Sequence, residues 1–327
     1  MDDERATPSD GRLIGPHLPL GVGLRQAADR AEKLGVRTIQ VFTDNPTAWR
    51  RRSEPPPGLA EFRARLAAAG IDQIAVHAPY LVNLCGPNDE FHERSVATMA
   101  NELRVGALYG ARFVVMHIGS HRGIEREEGI ARLVSGVAAM LGQVPLSAEN
   151  GASVPRLILE NSAGTGDGIG STVEDLADIF DAMGQAGIDL TRLGVCLDTA
   201  HLWGAGYRVD HSTGIEQLKS RVDGLLGRDR VTMIHLNDAR TSLGSRLDRH
   251  EHIGAGQLGS SGMRALLDDP WLATLPTYLE TPGMDTGYDA VNLERVRLLA
   301  AGRDVPDLPP EAFALRGSAT RTGPPSG

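Results

Sequence analysis

Eight short apolar or β-branched runs, mostly separated by segments of helical spacing, constrain this 327-residue chain more than any other feature. The runs open at Leu13, Thr38, Ile74, Phe113, Leu157, Leu193, Val231 and Thr277. Between them, sets such as Leu24, Ala27, Ala28, Ala31 and Leu34, or Val96, Met99, Leu103 and Ala107, recur at the spacing of one amphipathic helical face. Helices are predicted from Leu59, over about 91–108 and 124–141, after a Ser171/Glu174 capping box, and over about 288–299. Strand–helix alternation builds parallel sheet, and eight repeats close a (β/α)8 barrel of the TIM type, an α/β fold of roughly 250 residues plus tails. The barrel is predicted to occupy residues 12–302. Residues 1–11, polar and acidic, read as a disordered leader; residues 303–327, with five prolines, read as a disordered or loosely packed tail.

In such a barrel the chemistry gathers where the strands end. Six runs end on a carboxylate or a histidine: Val76-His77, Met116-His117, Leu159-Glu160, Leu197-Asp198, Ile234-His235 and Leu279-Glu280. Beyond His235 a polar loop brings Asp248 and His250, two apart and therefore on one side of an extended segment. With His201, the rim collects five histidines and four carboxylates. Zinc takes such donors, and paired zincs share a bridging carboxylate; nine donors are enough for three cations. Any one of these histidines alone would be explained as a satisfied, partly buried imidazole. All nine residues at strand ends together would not.

The formal net charge of −9 speaks against nucleic-acid binding, which normally leaves a basic footprint. Three divalent cations would bring it to −3 and concentrate the positive charge in one cleft. Cys85 and Cys196 form no disulfide framework, which fits a reducing, intracellular setting. The first residues lack the apolar core of a signal peptide, and no run of about 18 apolar residues predicts a membrane span. The glycine-rich 162–170 lacks the Lys-Ser/Thr of a P-loop and reads as a flexible loop. His121, His211 and His252 fall outside the donor set, with His252 a candidate to support a ligand.

The segments HAPYLVNL (77–84), HIGSH (117–121), LENSAG (159–164), LDTAH (197–201), HLNDA (235–239), GSRLDRHEHIGAG (244–256) and LETP (279–282) resemble, in order and spacing, the signatures of the endonuclease IV family. The resemblance covers about Leu13 to Leu299. It implies a xylose-isomerase-like barrel that holds three zinc ions and cleaves damaged double-stranded DNA on the 5′ side of abasic sites, leaving a 3′-hydroxyl. One zinc would be held by His77, His117 and Glu160; Glu160 would bridge to a second held with Asp198, His235 and Glu280; His201, Asp248 and His250 would hold the third. Glu160 and Glu280 would be the catalytic carboxylates, with Glu280 orienting the attacking water. Tyr80 and Leu81 would wedge into the duplex, and Arg50, Arg246 and Arg249 would contact DNA. A cytoplasmic, monomeric DNA-repair enzyme with no membrane or obligate protein partner is expected.

The chain departs from the family's pattern in three places. Thr47 stands where family members often carry an arginine, with Arg50, Arg51 and Arg52 following; Ile118 replaces a proline; and the segment after Gly302 has no counterpart. Two alternatives compete: a sugar isomerase or epimerase on the related barrel, needing one or two metals, and a metal-loaded lesion binder with little catalysis, needing a broken site.

Overall fold

The computed structural model describes residues 11–144 and 154–315. The strands are β1 (Ile14–Leu18), β2 (Thr38–Val41), β3 (Gln73–His77), β4 (Phe113–His117), β5 (Arg156–Glu160), β6 (Leu193–Asp198), β7 (Val231–His235), the short β8 (Asp238–Ala239) and β9 (His250–Glu251), and β10 (Thr277–Leu279). All but β8 and β9 join in one closed parallel barrel in sequence order, β10 lying between β7 and β1. The antiparallel β8–β9 pair folds the loop after β7 back on itself, which returns His250 to the rim.

Around the barrel run α1 (Leu24–Leu34), α2 (Leu59–Ala68), α3 (Asp89–Tyr109), α4 (Arg126–Gly142), α5 (Val173–Gln185), α6 (Thr199–Gly204), α7 (Ser212–Arg221), α8 (Gly259–Asp268) and α9 (Tyr288–Ala300). Their apolar faces and the outward strand residues form one continuous core. A second, smaller cluster fills the barrel itself: Ala75, Phe113, Val115, Ile158, Cys196, Met233 and Tyr278. Closure depends on Gly15, because a Cβ there would sit 1.7 Å from the Thr38 carbonyl oxygen. That close approach pairs His17 with Gln40 across β1 and β2.

The predicted barrel and its eight strands are present, but four details differ. Strand β1 runs on past Gly15 to Leu18, so its inward face includes His17. The capping box of α5 is Thr172 with Asp175 rather than Ser171 with Glu174: Thr172 accepts from the Asp175 amide, and the Asp175 carboxylate accepts from the Thr172 amide. Helices α6, α7 and α8, of 6, 10 and 10 residues, are short additions to the predicted set. Residues 303–315, expected to be loose, are docked instead: Ala312 is fully buried and the carbonyls of Pro306 and Ala312 accept bonds from Arg295 and His252. Residues 1–10 of the predicted leader and 316–327 of the predicted tail lie outside the described residues.

Candidate metal centre

Parallel strands in register deliver their last residues to one end of the barrel. His117 lies level with Glu160 across β4 and β5, and Asp198 with His235 across β6 and β7, after a register shift at Val195/Cys196. Asp198 also caps α6: its Oδ1 accepts from the His201 amide at 2.9 Å, which fixes His201 in the first turn above the rim. Opposite, Asp248 reaches both His201 (3.3 Å) and His250 (3.2 Å). The local spacing of an Asp-Thr-Ala-His and an Asp-Arg-His sequence is thereby converted into one cluster.

Among the described residues, three donor groups have ligand atoms that lie mutually within 4.8 Å: His77, His117 and Glu160; Glu160, Asp198, His235 and Glu280; and Asp198, His201 and His250. Glu160 links the first two, with Oε2 3.2 Å from His77 Nε2 and Oε1 3.0 Å from His235 Nδ1. All nine rim residues expected from the sequence are therefore brought together. Most are buried; His117 is the most open of the histidines, with 30% of its side chain exposed.

The donor set fits cations of the zinc type by its hydrogen bonds as well as its elements. His77 Nδ1 donates to the Ala78 carbonyl (2.7 Å), His201 Nδ1 to the Asn161 carbonyl (2.8 Å), and His250 Nδ1 to the Glu280 carbonyl (2.9 Å). In each ring the outward nitrogen is tied to backbone and the inner Nε2 faces the cluster, as metal-binding imidazoles are held. Nε2 of His201 and of His250 is buried and makes no well-formed hydrogen bond among the described residues, each instead in contact with Asp248, at 3.3 and 3.2 Å. Buried polar atoms are seldom left so, and a cation between them and Asp248 would satisfy both.

The charges are strongly coupled. Burial works against ionised Glu160, but the imidazoles of His235, His117 and His77 outweigh it and hold the carboxyl well below its usual range. Glu280 is lowered in the same way, by His235 and His17 against burial. Burial would discharge His201, yet Asp198 and Asp248 raise it well above the ordinary imidazole value; His250, facing the same two carboxylates, reaches about 9. Buried carboxylates and imidazoles can coexist at this density only by compensating one another or by binding cations.

Four further residues were not singled out from the sequence. Gln40 Nε2 donates to Glu280 Oε1 (2.6 Å), while its Oε1 accepts from His235 Nε2 (2.9 Å). His17 Nδ1 lies 3.4 Å from the same Glu280 oxygen. Asn237 Nδ2 donates to Asp198 Oδ2 (2.7 Å) and its Oδ1 accepts from the Glu280 amide (2.8 Å), while Asn161 Oδ1 accepts from the Asp198 amide (2.7 Å). The two asparagines had a readable signal, since each stands one or two places after a rim ligand.

The expected DNA-contact residues are more dispersed. Tyr80 is half-buried beside the cluster, its ring 5.8 Å from His77 and 5.3 Å from Phe42, and Leu81 next to it is half-buried too. Arg246 is exposed, but its guanidinium clamps the carbonyls of Gly164 (2.6 Å) and Gly166 (3.1 Å), so it joins two rim loops. Arg249 is half-buried and donates to the Asp248 carbonyl at 2.6 Å. In the loop after β2, Arg51 turns inward to buried Glu102 (3.6 Å) and Arg52 pairs with Asp44 (3.0 Å), while Arg50 is exposed.

The xylose isomerase-like TIM barrel family model matches residues 28–302. A probable endonuclease 4 of Methanoculleus marisnigri is 37% identical over 289 residues, 88% of this chain and 99% of that protein. The crystal structure of endonuclease IV from Thermus thermophilus superposes with a TM-score of 0.74 at 35% identity, covering 89% of this chain and 99% of that one. A D-tagatose 3-epimerase-like protein shares the fold at a TM-score of 0.61 but only 16% identity, over 86% of this chain and 94% of that one.

Proposed function

Because the chain belongs to the endonuclease IV family, we propose that it is a zinc-dependent apurinic/apyrimidinic endonuclease of base excision repair, hydrolysing the phosphodiester 5′ to an abasic deoxyribose in duplex DNA and leaving a 3′-hydroxyl. The observation that carries this reading is the donor set around His201 and His250, added to the two groups that share Glu160. Three cations can be accommodated, more than the one or two expected of a sugar isomerase. His77, His117 and Glu160 would hold the first, Glu160, Asp198, His235 and Glu280 the second, and His201, Asp248 and His250 the third. When bound there, zinc would supply Lewis acidity, bringing the pKa of a water to about 7 and offsetting negative charge on the phosphate and the leaving oxygen.

The rest is done by the chain's own groups. Gln40 and His17 grip Glu280 Oε1, which leaves Oε2 3.4 Å from His235 Nδ1 and fixes the plane of the carboxylate. An ionised, immobile carboxylate can accept a hydrogen bond from the attacking water and aim its lone pair. Asn237 ties the Glu280 backbone to Asp198, so the ligands keep their spacing as the phosphate changes shape. Tyr80 and Leu81, beside the cluster, would wedge into the duplex at the lesion. Arg50 would take the DNA contact that the family assigns to the Thr47 position, because Arg51 and Arg52 are engaged with Glu102 and Asp44. Arg246 and Arg249 would act on DNA chiefly by shaping the loops they tie down. We further assign the protein to the cytoplasm as a monomer with no obligate protein partner; among the described residues no helix is long and apolar enough to cross a membrane.

Incision of a duplex oligonucleotide carrying one abasic analogue, before and after chelation, tests this together with metal analysis of the same sample. The expected result is chelator-sensitive cleavage 5′ to the lesion with about three metal ions per chain. Fully metallated protein that leaves the lesion intact would overturn the reading in favour of a sugar isomerase or epimerase.

A further inference from the structure

The match to the family model stops at residue 302, yet residues 303–315 are fastened to both loops that carry the last rim ligands. His252, two residues beyond His250 and fully buried, donates from Nε2 to the Ala312 carbonyl at 3.1 Å. Its Nδ1 accepts from Asn292 Nδ2 (3.0 Å), and the Oδ1 of that asparagine accepts from the Ile253 amide (2.9 Å). Arg295 donates to the carbonyls of Ile253 and Pro306, bridging the same two segments. On the other loop, Gly283 adopts φ 72°, and a Cβ there would meet Leu315 Cδ1 at 2.6 Å. Leu315 therefore lies directly on the turn that follows Glu280. His250 and Glu280 are themselves joined by the bond from His250 Nδ1 to the Glu280 carbonyl.

We propose that residues 303–315 are a strap that positions His250 and Glu280, with His252 as the positioning residue through which the strap and the cation held by His201, Asp248 and His250 stabilise one another. The inference rests on the metal reading above. Groups that orient a ligand rather than bind the metal typically change metal affinity by about 10- to 100-fold when removed. Coupling of this kind is reciprocal, so the cation must also hold down the strap.

The test compares the full zinc-loaded chain with a variant lacking residues 303–327, following transfer of zinc to a coloured chelator. In the variant the ion held by His201, Asp248 and His250 should leave about 10-fold faster, and the ion held with Glu280 should also leave faster but by less. The ion of His77, His117 and Glu160 should leave at an unchanged rate, while kcat should fall with little change in KM for an abasic duplex. His252→Leu should reproduce the fast ion, whereas His252→Gln, which keeps a donor at the end of the side chain, should largely restore it. A strap that only adds stability would lower the melting midpoints of loaded and chelated protein equally; a positioning strap lowers the loaded one more. Should the shortened chain fail to fold, limited trypsin digestion of the intact protein decides. Zinc should slow cleavage after exposed Arg303 by about 10-fold. Equal ion release with zinc-insensitive digestion overturns the strap and leaves the metal reading standing; a full chain that takes up no zinc overturns both.

Discussion

Two rings of side chains stand one pleat apart on the same six strands. The lower ring is Ala75, Val115, Ile158, Cys196, Met233 and Tyr278; the upper ring, two residues further along each strand, is His77, His117, Glu160, Asp198, His235 and Glu280. Alternation along a strand makes residues i and i+2 point the same way, so both rings face the barrel axis. The lower ring is a packed plug, as the interior of such a barrel normally is. Burial chiefly, opposed by the His235 ring and reinforced by Glu160 and Asp198, pushes the Cys196 thiol up to about 12, so it sits as a neutral, inert group. One step higher, the same direction in space holds carboxylates and imidazoles whose ionisation is set by one another. Stability and chemistry are thus separated by a single pleat, and substitutions in the two rings should have opposite signatures.

The largest expected effect comes from the upper ring. Glu280→Gln keeps the volume and can still meet Gln40, but loses the charge. Cleavage of abasic duplex should fall by about 10³-fold, within the range for a positioned general base, while far-UV dichroism and lesion binding stay near those of the parent. Turnover within a few-fold of the parent would remove Glu280 from the reaction. In the lower ring, Ile158→Ala, two residues before Glu160, should do the reverse. A cavity at a fully buried isoleucine costs about 2–4 kcal/mol, read as a lower denaturant midpoint, with metal content and kcat little altered. Loss of metal from this variant would mean that the rings are not separable.

How legible the rings were depended on residue type. A histidine or carboxylate closing an apolar run is conspicuous, so the upper ring and the barrel were both readable. Gln40 was not, because an amide is not among the usual zinc ligands and its role exists only through its bonds to Glu280 and His235. His17 was hidden by Gly15-Pro16, which looks like the end of a strand but is where β1 passes close to β2. Ser171 and Thr172 each precede an acidic residue by three places, and only the backbone decides which one caps. Proline content made 303–315 look loose, since composition cannot reveal that Ala312 and Leu315 meet His252 and Gly283. Except at the α5 cap, the unreadable part is a contact between segments far apart in the chain.

His250, on the rim beside the upper ring, gives a further contrast with the packed plug through pH in chelated protein. Against the cost of burial, Asp198 and Asp248 raise His250 to about 9, above the value near 6.5 of an unfolded imidazole. A raised imidazole binds its proton more tightly when folded, so its contribution is complete below about pH 6.5 and is lost as pH rises through about 9. Thermal midpoints of chelated protein should therefore fall across that window. Zinc-loaded protein should not follow, because its ligands must already be deprotonated to bind metal and acid works against it. Parallel curves with and without chelator would show that His250 holds no cation.

The smallest effect lies above both rings, at Tyr80 and Leu81. The Tyr80 ring lies tilted beside two of the ring's histidines, its centroid 5.8 Å from that of His77 and 6.2 Å from that of His117, and neither it nor Leu81 belongs to the nine expected ligands. Replacing both with glycine should leave metal content intact and weaken binding to abasic duplex by about 1–2 kcal/mol, the scale of one lost base–aromatic stack. Binding to undamaged duplex should change less, because a wedge gains most where a base is already missing. Fluorescence anisotropy with both duplexes measures the difference directly. If affinity for the lesion is untouched while cleavage falls, these side chains serve the upper ring as packing around His77 and His117, and the wedge must be sought elsewhere on the rim.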